Sequence, residues 1–491
     1  MNQRVRQTAR WAGAIVGVLP LLLSYEAKAE VTLIEKDDWT VFMTGRMQAF
    51  FNYNQGDGFP TPPRDGNNNS VSLLAGGLEA GDAAVELEEG ANSETDAGKV
   101  QDLRIRTGFV GNVLGFGIKK QLNEDTTVTG YTAVTVYIDS TARRKYAGVQ
   151  PDWRESYLKV DGPWGSLTAG RALVLFSRGA TEITYLYGYE YGLGWVGSVS
   201  SLSGNGPTNG HVGFGVLGNG FGAGIAYATP KLGGAQLTVG AYDANNIPGS
   251  GTLERTKWPR AEAELTFDRP IGNTGMFKVF VNGAYQEIYQ KTGHRQQSIM
   301  GVGYGGRLEV GPVHLGLAAH MGKGIGVNFA LEPNNSGWHP TLPDRDFRLV
   351  DGYYGHIQVS PSKKFDVMAG AGITRVHLLK EDQVDTVDTD NDDPDSNGLK
   401  DTNGDQIDDS PVTPVGDDDG VPGPDSVGFI PIKHQLGLSC GVTYHLNDNL
   451  HLALEYFRAM FKWHTPTPAA PGQSGPSQNF DIVNLGMTYD F

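Results

Sequence analysis

The sequence lacks features on which several protein classes depend. It contains one cysteine, Cys440, so no disulfide framework holds the fold. No stretch after the N-terminus reaches about eighteen apolar residues, the length of a membrane-spanning helix. The long Leu- and Ala-rich amphipathic segments of a helical domain are also missing. The remaining choices are an exported soluble protein and a closed β-barrel, because only a barrel crosses a membrane without helices.

Motifs for catalysis and for nucleic-acid binding are missing as well. The chain has no His-Glu-x-x-His, Gly-x-Ser-x-Gly or Cys-x-x-Cys, and its 11 histidines are scattered. A Gly-x-Gly-x-x-Gly spacing at 301–306 lies inside a predicted strand with no helix after it, so it does not indicate a dinucleotide site. No basic patch interleaved with aromatic residues is present. We therefore predict neither an enzyme nor a nucleic-acid partner, and no required cofactor.

The first residues have the pattern of an export signal. Arg4, Arg6 and Arg10 make the start basic, residues 11–23 are apolar, and the small-x-small sequence at 27–29 fits a cleavage site. The apolar run is too short to span a bilayer. We therefore predict a signal peptide at 1–29 and a mature domain at 30–491.

Alternation of apolar and polar residues recurs along the mature chain. From Trp39 to Phe51 the odd-numbered positions are apolar or glycine and most even-numbered positions are polar, with Phe42 and Phe50 as exceptions. This period of two predicts a strand with one face for lipid and one for water. Sixteen such strands are predicted, the first from residue 39 and the others at 104–122, 126–138, 153–160, 166–176, 212–229, 235–243, 260–267, 276–289, 298–310, 313–321, 349–359, 365–379, 432–445, 450–463 and 479–491.

The connections between these strands alternate in length. Seven are short turns and eight are longer and polar, as expected of a barrel with short periplasmic turns and long extracellular loops. A soluble sandwich has no reason to keep this alternation over eight hairpins. Barrels of sixteen to eighteen strands enclose an aqueous channel. We therefore predict an all-β fold, a transmembrane antiparallel β-barrel of about sixteen strands, with a pore; Cys440 would face lipid.

One hairpin leads into an unusual loop. After the predicted strands 153–160 and 166–176 come about thirty residues rich in glycine and aromatics, whose only carboxylates are Glu182 and Glu190. We predict that residues 177–210 fold into the lumen and narrow it. The aromatic side chains either pack this loop against the wall or form a stacking track for sugars; they are Tyr185, Tyr187, Tyr189, Tyr191 and Trp195.

The C-terminal strand supports the barrel and carries a family resemblance. Every second residue from Val483 to Phe491 is apolar, and the chain ends in phenylalanine. This ending resembles that of the Gram-negative general porins, as do Thr44-Gly45-Arg46, Arg106-Thr107-Gly108-Phe109-Val110-Gly111, the hairpin at 154–171 and the sequence at 227–234. The resemblance implies a homotrimer in the outer membrane, in contact with its lipids and lipopolysaccharide. It also implies that Phe491 is a signal to the barrel assembly machinery.

In that family, basic side chains on the barrel wall face acidic groups on the third long loop, and the field between them filters small hydrophilic solutes. By resemblance, the basic candidates are Arg46, Arg104, Arg106, Arg154 and Arg171, and the acidic candidates are Glu182 and Glu190. The chain departs from the family in lacking the loop motif Pro-Glu-Phe-Gly-Gly and an arginine near Gly220. Wall arginines at such a constriction would give weak or anion-leaning ion selectivity. The acidic residues of the extracellular loops would oppose it little, because they lie far from the constriction and are screened by salt.

The segment 380–428 differs most from an ordinary porin loop. Between Glu381 and Asp425 it holds 16 acidic residues and one lysine, nearly the whole formal charge of −16. Its spacing of oxygen ligands is similar to that of thrombospondin type 3 calcium repeats, although an acidic run is also typical of a solvated, disordered loop. The candidate Ca²⁺ ligands are Asp388, Asp390, Asp392, Asp393, Asp395, Asn397, Asp401, Asn403, Asp405 and Asp408.

The residues predict a barrel with a pore, and the resemblance to the general porins implies an outer-membrane channel for passive diffusion of small hydrophilic solutes and ions. Two alternatives stay open. One is a structural or adhesive barrel whose acidic loop binds Ca²⁺, and the other is a solute-specific porin, for example for sugars.

Overall fold

The computed structural model describes residues 30–57, 72–73, 99–108, 111–136, 138, 152–182, 210–244, 253–254, 258–272, 275–290, 296–331, 347–379, 399–400, 410–411, 429–465 and 474–491. The predicted signal peptide at 1–29 lies outside these residues. Nearly all long elements in the described ranges are antiparallel strands.

The described ranges contain eighteen strands of at least six residues. They are β1 Val31–Lys36, β2 Trp39–Asp57, β3 Lys99–Arg106, β4 Asn112–Asn123, β5 Thr126–Val136, β6 Asp152–Gly162, β7 Gly165–Leu173, β8 Phe221–Ala228, β9 Ala235–Tyr242, β10 Arg260–Ile271, β11 Gly275–Gln290, β12 Gln296–Val310, β13 Val313–Lys323, β14 Leu349–Ser362, β15 Phe365–Val376, β16 Ile432–His445, β17 Leu450–Trp463 and β18 Ser477–Asp490. One short helix, α1 Arg178–Glu182, follows β7.

The strands close into a barrel because β2 pairs on both edges. One edge pairs with β18, from Arg46 opposite Asp490 to Gly56 opposite Phe480, and the other pairs with β3 and β4. β3 and β4 are two pieces of one wall strand, and β1 is a short ribbon beside the start of β2. The wall therefore has sixteen antiparallel strands, which confirms the predicted fold class.

The break between β3 and β4 corrects the predicted continuous strand at 104–122. Gly111 adopts a φ of 82°, a conformation that glycine takes without strain. Gln48 holds the break from β2: its backbone N–H donates to Asn112 Oδ1 at 2.6 Å, and its side-chain amide donates to the Gly111 carbonyl at 2.9 Å. The first strand, β1, was not predicted; its residues are exposed throughout.

The two faces of the wall differ as the alternation predicts. On β2, Met47 and Phe51 are about half exposed on the outer face, whereas Gln48 and Asn52 are buried on the inner face. Phe50 is also buried on the inner face, as the exception in the pattern requires. The apolar side chains of the outer face suit the hydrocarbon of a bilayer. The backbone N–H and C=O groups of the wall strands are hydrogen-bonded to neighbouring strands, as a membrane barrel requires. Cys440 is exposed on the same outer face.

Connections at one rim are short, and all but one of those at the other rim are longer. The seven at one rim have two to six residues, for example 311–312 between β12 and β13. The opposite rim carries the segments 58–98, 137–151, 174–220, 243–259, 291–295, 324–348, 377–431 and 464–476. Within the described ranges, no helix has the length and apolar character needed to cross a membrane.

The predicted strand at 212–229 is wrong over its first half. Strand β8 begins only at Phe221, and residues 212–220 lie inside the barrel. Gly213 and Gly215 have φ values of 82° and 93°, which turn the chain out of the extended conformation. Because of these turns, Val212 and Val216 pack into one buried cluster instead of alternating between faces.

Candidate functional site: the loop segments inside the lumen

Three segments of extracellular loops occupy the barrel lumen. Two of them, 174–182 and 210–220, are the described ends of the third long loop, and the third, 324–331, belongs to the sixth. They are joined by backbone hydrogen bonds, from Val174 N–H to the Gly220 carbonyl at 3.0 Å and from Gly218 N–H to the Asn328 carbonyl at 2.8 Å. The described ends confirm the predicted inward fold of the third loop and include residues on both sides of 177–210, whereas residues 183–209 lie outside the described ranges.

An apolar cluster fixes these segments to the wall. Phe176, Leu217 and Ile325 are at most 1% exposed and belong to one cluster with Ile299 of β12 and Val350 of β14. Side chains of this size each contribute about 1.5–3 kcal/mol when fully buried. The sixth loop is therefore part of the constriction, which the sequence did not indicate because its apolar residues have no strand period.

Carboxylates of strand β10 hold the first inserted segment. Glu262 Oε2 accepts hydrogen bonds from the backbone N–H groups of Leu175 at 2.7 Å and Phe176 at 2.8 Å, and Oε1 accepts one from Arg260 Nε at 2.6 Å. Bonds to an ionised acceptor are stronger than neutral ones. The side chain of Glu262 thus accepts hydrogen bonds from two backbone N–H groups where the loop leaves the wall. It also compensates the positive charge of Arg260.

An ion pair holds the next turn. The guanidinium of Arg178, at the start of α1, is paired with Glu264, and the two side chains are 6% and 2% exposed. Asn282 of β11 accepts a hydrogen bond from Ser177 N–H at 3.3 Å. Gly179 lies against Phe280, where a Cβ atom would come within 2.1 Å of the ring. This ion pair has its carboxylate on the wall and its arginine on the loop, an arrangement that the sequence did not predict; the predicted acidic partners Glu182 and Glu190 have side chains outside the described residues.

The other end of the third loop contacts the opposite wall. His211 Nε2 lies 2.7 Å from Ser439 Oγ of β16, and its ring packs against Tyr354 and Phe457. Gly215 N–H donates to Thr374 Oγ1 of β15 at 2.9 Å. The two described ends of the third loop therefore contact different parts of the wall, β10 at one end and β15 and β16 at the other.

The buried imidazole of His211 gives this contact a pH dependence. Burial lowers the pKa of His211 to about 3, while a hydrogen bond with the Phe214 carbonyl acts in the opposite direction. Below the ordinary pKa of about 6.5, an unfolded chain binds a proton that the folded chain excludes, so stability falls as the pH is lowered toward 3. We expect a loss of about 1.4 kcal/mol per pH unit in this window.

Urea unfolding of the barrel in detergent between pH 7 and pH 4 measures this loss. The variant His211→Gln keeps a polar partner for Ser439 and removes the titrating group, so its unfolding free energy should fall less steeply. His356, whose charge also lowers the pKa of His211, and the other histidines are present in both proteins. Parallel curves for the two proteins would contradict the assignment.

Comparison with known proteins decides the family. The sequence profile of the Gram-negative porins matches residues 27–399, more than half of the chain. The chain belongs to the Gram-negative porin family. No curated protein sequence matches this porin. Its barrel is therefore an outer-membrane barrel.

One solved structure supports the fold of this porin, and a second is reported beside it. The outer membrane channel DcaP of Acinetobacter baumannii aligns with a TM-score of 0.57 and 12% identity, covering 94% of this chain and 100% of that chain. The anion-selective porin from Comamonas acidovorans aligns with a TM-score of 0.49 and 13% identity over 92% and 100%. At such identities the likeness to DcaP concerns the fold alone.

The predicted wall arginines of the porin have different surroundings. Arg46 pairs with Asp490 on the inner face, with Nε 2.6 Å from Oδ1, and Arg154 pairs with Asp152 at the same distance. Arg106 is fully buried on the inner face. These two ion pairs compensate positive charge on the wall, so they weaken the basis for expecting anion selectivity.

The structure does not show the other two predicted wall arginines, Arg104 and Arg171, facing the lumen. Arg104 lies opposite Asn52 in the backbone register, and its side chain is outside the described part. Arg171 is exposed and lies opposite Ser156, which shares the outer face with Leu158. The register therefore places Arg171 on the outer face rather than in the lumen.

Several predicted residues lie beyond the parts that the structure describes. Glu182 ends α1, but its side chain is outside them, as are Glu190 and the loop aromatics at 185–195. The candidate Ca²⁺ ligands between Asp388 and Asp408 also lie outside the described residues; calorimetric titration of the intact porin with Ca²⁺ would test that prediction. The described ranges contain no group of three or more metal-ligating side chains.

The carboxylates that hold the loop were missed, although a signal for them exists. Arg260, Glu262 and Glu264 occupy alternate positions of a predicted strand, with two alanines between them. This period places three charges on one face of a wall strand, where they need either water or partners. The partner Arg178 is distant in sequence, so its role appears only in the fold.

Proposed function

We propose that this porin forms a water-filled channel for passive diffusion of small hydrophilic solutes and ions. The observation that supports it most is the crossing of a sixteen-stranded barrel by loop segments held through Glu262 and Glu264. Sixteen strands enclose more space than the wall side chains fill, and loops inside that space set the width of the path. A structural or adhesive barrel does not require such a constriction.

Selectivity is proposed to be weak. Several lumen arginines are paired with carboxylates, among them Arg46, Arg178, Arg260 and Arg307. A charge that is paired with an opposite charge has a weaker field than an unpaired one. Salt shortens the reach of this field further, because the Debye length at physiological salt is about 8 Å. A reversal potential near zero in a salt gradient is the expected result.

Single-channel recording in a planar bilayer tests the channel. We expect stepwise increases in conductance as the purified porin inserts. Lack of current from protein shown to be folded would contradict the proposal and favour the structural barrel. Block of the current by a sugar at low concentration would instead indicate the solute-specific alternative.

The proposed assembly is a homotrimer. Strands β8 and β9 have eight residues each, half the length of β11, so the wall is low on this side. Their outer faces carry exposed apolar side chains such as Ile225 and Val239. A low apolar wall suits contact with a second barrel, and cross-linking of the porin in membranes would show a trimer band.

A further inference from the structure

A row of basic side chains lies on the outer face of three neighbouring wall strands. Arg375 of β15 lies directly opposite His434 of β16, which in turn lies opposite Lys462 of β17. Adjacent strands are about 4.8 Å apart, so these three positions span about 10 Å. A register irregularity between Ile432 and His434 adds Lys433, which is exposed beside them. We call Arg375, Lys433, His434 and Lys462 the basic row.

The basic row belongs to the outer face at the long-loop rim. Thr374 and Val376 are 0% and 2% exposed on the inner face, whereas Arg375 between them is exposed. Arg375 and Lys462 are the last residues but one of their strands, and His434 is the third residue of its strand. A charged side chain on the lipid face is costly at the bilayer midplane and costs little near the bilayer surface. The row therefore lies at the height of the lipid headgroups.

Apolar side chains lie directly beneath the basic row. Ile373, Leu436 and Met460 occupy the next outward positions of the same three strands and lie opposite one another in the register. Two residues along a strand amount to about 7 Å. Tyr353 of β14 lies beside them, with its ring centroid 5.3 Å from Cζ of Arg375. Cationic groups about 7 Å above apolar ones match an anionic lipid, in which the phosphate groups lie just above the acyl chains.

The positive charge of the basic row is only partly compensated. Arg375 Nε lies 2.7 Å from Asp351 Oδ1, so this pair adds no net charge. Lys462 Nζ donates to a backbone carbonyl at 2.5 Å, which is a neutral acceptor. No carboxylate in the described part of the chain pairs with Lys433 or Lys462, and both lysines act on His434 through their charge. Two positive charges are therefore left, which a phosphate group can neutralise.

We infer that the basic row binds the phosphate groups of a lipid of the outer leaflet. Lys433 and Lys462 supply the charge, the ring of His434 supplies an N–H donor, and the apolar side chains beneath them contact the acyl chains. The proposed contact with a second barrel involves β8 and β9, on the other side of the wall, so that lipid is the neighbour of β15 to β17. This binding does not depend on whether the barrel conducts.

Lipid A, a phosphorylated lipid of the outer leaflet, is the probe for this inference. It is titrated into the detergent-solubilised porin in the presence of EDTA, so that Ca²⁺ bridges no carboxylate to the lipid, and the bound lipid is counted by native mass spectrometry. The double variant Lys433→Gln, Lys462→Gln should bind lipid A about tenfold more weakly, because it loses two charge-assisted hydrogen bonds. The matched control, Lys36→Gln with Lys120→Gln, makes the same change in net charge at the short-turn rim and should bind like the wild type.

Three results would overturn the inference. The first is equal binding of lipid A by the two double variants. The second is displacement of lipid A by an equal concentration of inorganic phosphate, which would make the row a site for free anions. The third is binding of lipid A only after deletion of residues 381–425, which would show that the acidic segment of this chain occupies the row. Heat-modifiable migration shows which variants are folded, and Lys433→Gln alone replaces the double variant if that does not fold.

Discussion

Replacing Glu264 with alanine is expected to free the third loop from the wall and to increase the single-channel conductance. The side chain is 2% exposed and pairs with Arg178, which is equally inaccessible at 6%. Removing one partner of a buried ion pair leaves the other charge uncompensated and costs about 3–5 kcal/mol. Since Arg178 lies on a loop, the least costly response is for the loop to leave the lumen and take its charge into water.

A double variant separates the ion pair from general damage to the barrel. Arg178→Met combined with Glu264→Leu replaces the pair by apolar side chains, a change that is often neutral in buried sites. We expect the double variant to keep the conductance of the wild type, whereas each single variant shows a larger and noisier current. If the two single effects simply add in the double variant, the pair does not hold the loop.

Deletion of Phe491 is expected to reduce the amount of folded porin in the outer membrane severely. Phe491 makes the last two backbone hydrogen bonds of the closing ladder, both with Gly45, and its ring stacks on Tyr489 with centroids 5.8 Å apart. Its loss opens the seam between β2 and β18 at the short-turn rim. Heat-modifiable migration on electrophoresis measures the folded fraction.

Gly45→Ala tests the same seam from the other side. A Cβ at Gly45 would come within 2.3 Å of the Phe491 ring, which must then leave its place; overpacking of this kind typically costs about 1–3 kcal/mol. Gly130→Ala is the matched control, because its Cβ would meet the nearest atom at an ordinary 3.5 Å. If the variant that lacks Phe491 assembles as well as the wild type, the C-terminal residue is not needed to close the barrel.

The sequence predicts those features of this porin that leave a repeating pattern in neighbouring residues, and it misses those that do not. The period of two along β2 and β18 specified the faces of the wall, and alternating turn lengths specified the barrel, because both follow from backbone geometry within one hairpin. The segment 212–220 was mistaken for a strand since alternating apolar residues look alike in a strand and in a buried loop. Only the positive φ of Gly213 and Gly215 distinguishes them.

The site shows the same division more sharply. Arg46 was selected by family resemblance, and its partner Asp490 lies 444 residues away in the chain, so its compensation could not be seen in the sequence. Glu262 and Glu264 could be placed on one face of a strand, but their partners at 175–178 come from a loop with no repeating pattern.

The sequence by itself thus determined a β-barrel of sixteen strands, its two faces, its two rims and the third loop as the inward one. The strand number, the faces and the rims follow from periodicity and from turn chemistry, which are local, whereas the inward third loop was predicted from its composition and position and from the family resemblance. The tertiary structure alone decided that Glu262 and Glu264 of the wall hold the start of the third loop, and that the sixth loop joins the constriction. These depend on pairings across the lumen, whose geometry is set only when the barrel closes.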